Sequence, residues 1–162
     1  MSRAVLSLGS NLGDRLGYLR MAVDGLRDVL VAVSPVYETA PWGVLDQDDF
    51  LNAVVIVGSD DIDARGWLAR AQELERRAGR VRTVKWGPRV LDVDVVTVDG
   101  VRCDHPDLIL PHPGAASRAT VLVPWLDIEP DAVLADHGRI ADIMATLSTE
   151  GVRRRDDLTL RR

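Results

Sequence analysis

Apolar and polar positions follow two periods along this chain. AVLSLGS (4–10) has strand composition and runs into a Gly-Ser-Asn turn. Leu16, Leu19, Val23, Leu26 and Leu30 then recur at helical spacing, which predicts a helix capped by Ser10 or Asn11 and mildly weakened by Gly17 and Gly25. A second strand is expected at about 32–38, followed by T-A-P-W-G (39–43), where Pro41 pushes Ala40 into an extended conformation and shapes a loop. FLNAVVIVG (50–58) reads as a strand, with Phe50 and Asn52 on one face and Leu51 and Ala53 on the other. Residues 60–79 predict a helix started by Asp60 or Asp61 and stopped by Gly79, its stripe formed by Trp67, Leu68, Ala71, Leu74 and Ala78. Next comes a strand in which Leu91, Val93 and Val95 alternate with Asp92 and Asp94.

Past that strand, Asp99-Gly100 predicts a hairpin pairing 94–98 with 101–103. Pro106, Pro111 and Pro113 predict a stiff, irregular loop over 105–114, carrying His105 and His112. Ser117 is expected to cap a short helix that carries Arg118, with Leu122, Val123 and Trp125 in the core. A small helix is expected near 139–147, and the charged end from Arg153 to Arg162 on the surface. The order β-α-β-β-α-β through residue 98 is that of a split βαβ, an α+β arrangement of ferredoxin-like type. Right-handed crossovers put both helices on one sheet face and leave the other face and its loops for ligands. No repeat or composition break divides the chain, so residues 1–162 are expected to form one domain.

Composition narrows the function. The net charge of −5 argues against a general nucleic-acid binder. The longest apolar run, near 53–57, is far too short to span a membrane. Cys103 is the only cysteine, so no internal disulfide can form, and no signal peptide is evident; a cytoplasmic setting is expected.

The basic residues are nevertheless concentrated. Arg76, Arg77, Arg80, Arg82, Lys85 and Arg89 lie within 76–89 with no acid among them, which suits a small anionic ligand. Asp92 and Asp94 follow directly, on one strand face with Cα atoms roughly 6.5 Å apart. A D-x-D by itself is more often a pair of solvated carboxylates. Beside this basic loop and its W-G-P-R, two hard oxygen ligands read as a site for a Mg²⁺–polyphosphate complex. Phe50 and Asn52 on one face can grip a flat heterocycle by stacking and paired hydrogen bonds, although an ordinary strand entry with Phe50 in the core has the same pattern. Gln72 and Glu75 lie beside the helix stripe, toward the start of the basic loop. G-S-N-L-G-D lacks the G-K-[ST] ending of a P-loop and reads as a tight strand-to-helix turn. No Cys/His spacing suggests zinc.

Taken together, LSLGSNLGDR (6–15), YETAPWG (37–43), DQDDFLNAVV (46–55), GRVR (79–82), KWGPRVLDVDVV (85–96) and LPHP…SRATVLVPW (110–125) resemble the 6-hydroxymethyl-7,8-dihydropterin pyrophosphokinases of folate biosynthesis. The resemblance covers 4 to about 130 and implies a ferredoxin-like fold with three mobile loops around the site. It implies transfer of pyrophosphate from ATP to the pterin hydroxymethyl group, with release of AMP. By position, Asp92 and Asp94 would hold two Mg²⁺ ions, and Arg80 and Arg89 would act on the transferring group. Arg82, Lys85, His112 and Arg118 would steady the triphosphate, and Gln72, Glu75 and Val95 would contact adenosine. Thr39, Pro41, Trp42, Phe50, Asn52 and Trp86 would line the pterin pocket. The expected partners are these two small molecules alone, with no nucleic acid or membrane and the chain a monomer. Three positions depart from the usual pattern: Thr120 stands for a stacking Phe, Lys85 for a common Arg and Trp42 for a frequent Leu. An RNA-binding module of this fold would carry aromatics on its central strands, which here hold Val, Leu and Asp.

Overall fold

The computed structural model describes residues 1–40, 48–79 and 90–160. Its elements are β1 (Ser2–Ser10), α1 (Arg15–Gly25), β2 (Leu30–Val33), β3 (Tyr37–Thr39), β4 (Phe50–Ser59), α2 (Ala64–Arg77) and β5 (Asp92–Val98). There follow β6 (Cys103–His105), β7 (Leu108–Leu110), a 3₁₀ turn (Ala115–Ser117), α3 (Ala119–Ile128), β8 (Val133–Leu134), β9 (Gly138–Arg139), α4 (Ile140–Met144) and β10 (Val152–Arg154).

β1 and β4 are the apolar centre of the sheet, and β1 pairs antiparallel with both β4 and β5. The sheet order is β10-β3-β4-β1-β5, with β2 also on β4. β3 takes the first residues of β4 and β2 takes its far half, so the two short strands share one side. This is the expected α+β, ferredoxin-like order, with the second strand broken in two. The break lies at Ser34-Pro35, where Pro35 has no N–H for a ladder and the Ser34 hydroxyl oxygen accepts from the buried Val54 N–H at 2.9 Å.

Helices α1 and α2 pack on one face, against Leu6, Leu8, Leu51, Ala53, Val55, Val93 and Val95. Fully buried Leu or Val side chains of this kind each contribute about 1.5–3 kcal/mol. Gly25 has a packing reason: a Cβ there would stand 2.5 Å from Leu74 Cδ2, so the bare backbone lets α1 approach α2. Three expected helix boundaries are corrected. α1 is capped by Asp14, which accepts from Gly17 N, and α2 by Asp63, which accepts from Gly66 N; Ser10, Asn11, Asp60 and Asp61 all lie upstream. Leu30 leaves the α1 stripe and begins β2. Gly79 does end α2, at a φ of 75° that glycine tolerates.

The opposite face is only partly free. Val121, Leu122 and Trp125 of α3, with Leu134 and Ile140, cover Val5, Val54, Ile56 and Val96. Val123, expected in the core, is half-buried, and the buried neighbour is Val121. The Asp99-Gly100 turn forms, with Val101 N donating to Val98 O at 3.0 Å. The strand after it pairs elsewhere: β6 joins β7, so the region expected to be irregular over 105–114 contains part of a hairpin. Arg118 stands at the N-cap position of α3, and the Ser117 hydroxyl bonds Gly114 O, so Ser117 does not cap the helix. The C-terminal end from Arg153 is largely exposed, as expected, yet it is built into the fold: β10 extends the sheet beyond β3, and Leu160 is buried in the core.

Candidate active site

The site is built where the sheet face passes beyond the cover of α3. Directly paired residues share a face, so the register places Asp92, Gly9, Asn52 and Tyr37 in one row across four strands. Asp94 and Ser7 lie in the next row, beside Val54. Both carboxylates are half-buried at the start of β5, with Val93 and Val95 turned into the core as alternation requires. Val96 has no partner in the β1 register, because a bulge falls opposite Val5 and Leu6.

Asn52 is oriented by Thr39. The Thr39 hydroxyl donates to Asn52 Oδ1, which turns the amide Nδ2 out over Gly9. A Cβ on Gly9 would be 2.9 Å from that nitrogen and 3.5 Å from the Phe50 ring. The missing side chain therefore lets the amide and the ring pack directly over the backbone of β1. Residues 39, 50 and 52 thus meet as the sequence reading expects. Gly9 was legible only as part of a turn, yet a glycine inside a strand is itself a signal of close approach.

On the other side of Asp92 lies the loop after β7. His112 N donates to Val96 O at 2.8 Å, which ties this loop to the edge of β5. Gly114 N donates to His112 Nδ1 at 3.0 Å, so the neutral ring carries its proton on Nε2. Burial, then the charge of Arg118, push His112 below its usual range, against the opposing pull of Asp92. The guanidinium of Arg118 folds over Gly114, where a Cβ would be 2.9 Å from it. Asp92, His112 and Arg118 are therefore electrostatic neighbours.

Glu75 is buried on the last turns of α2, and its Oε2 accepts the Val93 N–H at 3.0 Å on the edge of β5 that β1 leaves open. Gln72, one turn earlier, is exposed. The Val95 side chain is buried, and its backbone is turned by alternation toward the same open edge. Pro41, Trp42, Arg80, Arg82, Lys85, Trp86 and Arg89 lie outside the described residues.

Among the described residues no group of three His, Cys, Asp or Glu forms a metal cage. Two carboxylates on one face suit Mg²⁺, which keeps several waters and takes substrate phosphates as its other ligands. The donor set of Asp92 and Asp94 fits that role.

A model of the family described as 7,8-dihydro-6-hydroxymethylpterin-pyrophosphokinase (HPPK) matches residues 5–130. The chain belongs to this family. Among proteins named 2-amino-4-hydroxy-6-hydroxymethyldihydropteridine pyrophosphokinase, that of Mycobacterium leprae is 51% identical, over 94% of this chain and 88% of its own. That of Mycobacterium tuberculosis is 50% identical, over 85% of this chain and 78% of its own. The Methylorubrum extorquens protein is 40% identical, over 95% of this chain and 99% of its own. Among solved structures, an HPPK-DHPS in complex with substrates superposes with a TM-score of 0.69 at 12% identity, over 90% of this chain and 43% of that one. Wild-type Plasmodium falciparum HPPK-DHPS with pteroate gives 0.71 at 12% identity, over 94% and 47%. This chain spans less than half the length of those two, and the likeness shows the fold. The HPPK match ends at residue 130, so α4 and β10 lie beyond it. The segment after α4 and the start of β10 reach this region all the same. A cavity of about 190 Å³ is lined by Thr39 and Ala40, by Arg118 and Thr120 of the α3 entry, and by Ser148 and Val152 of the C-terminal segment.

Proposed function

We propose that this chain transfers pyrophosphate from ATP to the hydroxymethyl group of 6-hydroxymethyl-7,8-dihydropterin, releasing AMP, a step of folate biosynthesis. The observation that carries this reading is the row Asp92–Gly9–Asn52, in a chain that belongs to the HPPK family. It sets two carboxylates on the same sheet face as an amide and an aromatic ring, groups that can hold a flat, hydrogen-bonding heterocycle.

The residues divide the work by position. Thr39 holds Asn52 so that its amide can donate to the pterin, while Phe50 supplies a stacking face. By the family resemblance, Pro41, Trp42 and Trp86 would also contact the pterin. Asp92 and Asp94 would hold two Mg²⁺ ions, which when bound neutralise phosphate charge and orient the triphosphate. Arg118 and the Nε2–H of His112 donate to phosphate oxygens beside them, with Arg82 and Lys85. Arg80 and Arg89 bear on the transferring group, where their planar forks match its oxygens. Gln72, Glu75 and the Val95 backbone face adenosine. The substrate hydroxyl attacks the β-phosphorus in line; the new O–P bond forms as the bond to the α-phosphate oxygen breaks, AMP leaves, and the hydroxyl proton passes to solvent. No covalent intermediate is needed, and the rate comes from positioning and charge. The chain works as one domain and as a monomer in the cytoplasm, on small molecules alone. No described helix is long and apolar enough to cross a membrane.

The test is AMP release with ATP, Mg²⁺ and the dihydropterin. Pterin-dependent AMP is expected, and a chain that binds both substrates without forming AMP would refute the reading.

A further inference from the structure

We propose that Glu38 is a positioning residue for the pterin side of this site, through which the C-terminal strand β10 fixes Thr39, Asn52 and Phe50. The inference rests on the pterin pyrophosphokinase reading, because it concerns the same pocket.

β3 is three residues long, and its side chains alternate. Tyr37 and Thr39 face α3 and the site. Glu38 points through the sheet to the other side, where its cross-strand partner Leu51 also lies. It is one of the few buried charged residues among those described. Three arginines from two distant segments converge on it. Arg15, the first residue of α1, donates to Glu38 Oε2 at 2.8 Å. Arg153 of β10 donates to Oε1 at 2.6 Å, and Arg155 donates to the same oxygen at 3.2 Å.

The cluster also reaches the other side of the pocket. The same Arg15 nitrogen donates to the Asp49 carbonyl at 2.9 Å, and Asn11 Nδ2 donates to the Asp48 carbonyl at 3.0 Å. Arg153 lies 3.6 Å from the Asp49 carboxylate as well. Asp49 immediately precedes Phe50, and Glu38 immediately precedes Thr39. One buried carboxylate beneath the sheet thus holds both strand ends whose next residues bear the ring and the hydroxyl of the pocket.

Stability alone is a poor reason for such a cluster. Removing a carboxylate and guanidinium groups from water costs about as much as their attraction returns, and an apolar set of the same volume is often as stable. A cluster does supply a fixed geometry. β3 makes three residue pairs with β4 and then enters 41–47, so its own ladder is short. β10 adds three more pairs on its far side, joining Val152 to Thr39 and Arg153 to Glu38. The segment that supplies β10 lies beyond the part of the chain the HPPK family model covers, and it also lines the cavity beside Thr39 and Thr120. The C-terminal segment is therefore a wall and a clamp of the substrate pocket.

The experiment uses the full chain and measures affinity for the dihydropterin in the presence of a non-hydrolysable ATP analogue and Mg²⁺. Analogue affinity, kcat, KM and thermal unfolding are measured in parallel. Glu38→Gln keeps the shape and removes the charge. It is expected to raise the pterin Kd and KM roughly 10- to 100-fold, as small misplacements of binding groups do, with analogue affinity and saturated kcat within about threefold of wild type. Arg153→Ala/Arg155→Ala should move the same quantities in the same direction, and Arg153→Lys/Arg155→Lys should restore most of the pterin affinity. The inference is overturned if pterin affinity is unchanged in Glu38→Gln and in the double alanine variant. It is also overturned if pterin and analogue affinity fall together in step with the melting temperature, because that is general loosening. If Glu38→Gln does not fold, the arginine pair decides by the same criteria. A wild-type chain that fails to bind the pterin refutes the functional reading itself, whereas wild-type binding with unaltered variants refutes only the role of Glu38.

Discussion

Adding one methyl group at Gly9 should separate binding from folding. Gly9 pairs with Asn52 on one side and Asp92 on the other, and it is not one of the glycines with positive φ. Its backbone conformation is open to any residue, so only space explains it. An alanine Cβ would lie 2.9 Å from Asn52 Nδ2, closer than such contacts occur, and 3.5 and 3.9 Å from two atoms of the Phe50 ring. The amide must swing away, and its bond from Thr39 is strained or lost. Leaving such a group unsatisfied costs about 1–3 kcal/mol, which is about 5- to 150-fold in Kd. Folding receives an offset that binding does not. Alanine is favoured over glycine in a strand interior by about 0.5–1 kcal/mol, through its smaller unfolded-state entropy.

Gly9→Ala should therefore weaken dihydropterin binding by at least about fivefold, with a net loss of stability of no more than about 2.5 kcal/mol. Isothermal titration with the pterin and with an ATP analogue, beside a thermal melt, reads all three quantities. ATP affinity should hold, because the methyl group points at Asn52 and Phe50. A folded Gly9→Ala with wild-type pterin affinity would refute the claim that Asn52 and Phe50, placed as Gly9 allows, receive the ring.

Asp92→Asn and Asp94→Asn should each lower turnover by about 10²–10³ at saturating Mg²⁺ while the fold survives, as befits half-buried side chains; near-normal turnover in either variant would remove the metal assignment. Thr120→Phe should fill the cavity shared with Thr39 and tighten the pterin Kd through a second stacking face, worth about 1–3 kcal/mol, with ATP binding unchanged; a neutral or weakened Kd would mean that side is already occupied. Burial works to raise the Glu38 carboxyl, but the hydrogen bond from Arg15 and the charges of Arg15, Arg155 and Arg153 outweigh it and hold it below its ordinary 4.5. The unfolded chain therefore takes up this proton at a higher pH than the native chain does. The associated stability is complete above about 4.5 and is lost as pH falls through the lower native value. Melting curves of Glu38→Gln should accordingly decline less steeply with acid than those of wild type, and identical slopes would contradict this.

Which parts of this protein could be read from the sequence follows from the range of the interactions involved. The alternation in 50–58 and 91–98 is local, so the faces of Phe50, Asn52, Asp92 and Asp94 were legible before any strand was paired. The helix stripes were local too, but their caps were not resolved by composition. Ser10, Asn11, Asp60 and Asp61 are good cap residues, and only the chain's path shows that Asp14 and Asp63 accept the amide bonds. The Asp99-Gly100 turn formed as read, yet β6 found a better partner in β7, because a turn sets a direction and does not choose the partner strand.

The C-terminal arginines were the least legible part. Arg153 and Arg155 stand in a charged run, and a charged run ordinarily means solvent. Their partner, Glu38, is 115 residues away from Arg153 in sequence, and nothing local distinguishes it from any glutamate in a short strand. What makes the pairing possible is strand alternation. Because Thr39 faces the candidate site, its neighbour Glu38 must face away, toward the start of α1. A carboxylate forced into that position needs cations, and Arg15 alone leaves Oε1 to be satisfied. β10 brings Arg153 to that oxygen as it adds its strand to β3. The position that alternation imposes on Glu38 is thus satisfied by the end of the chain, and on the proposed reading a substitution in that end should be felt as a change in pterin affinity.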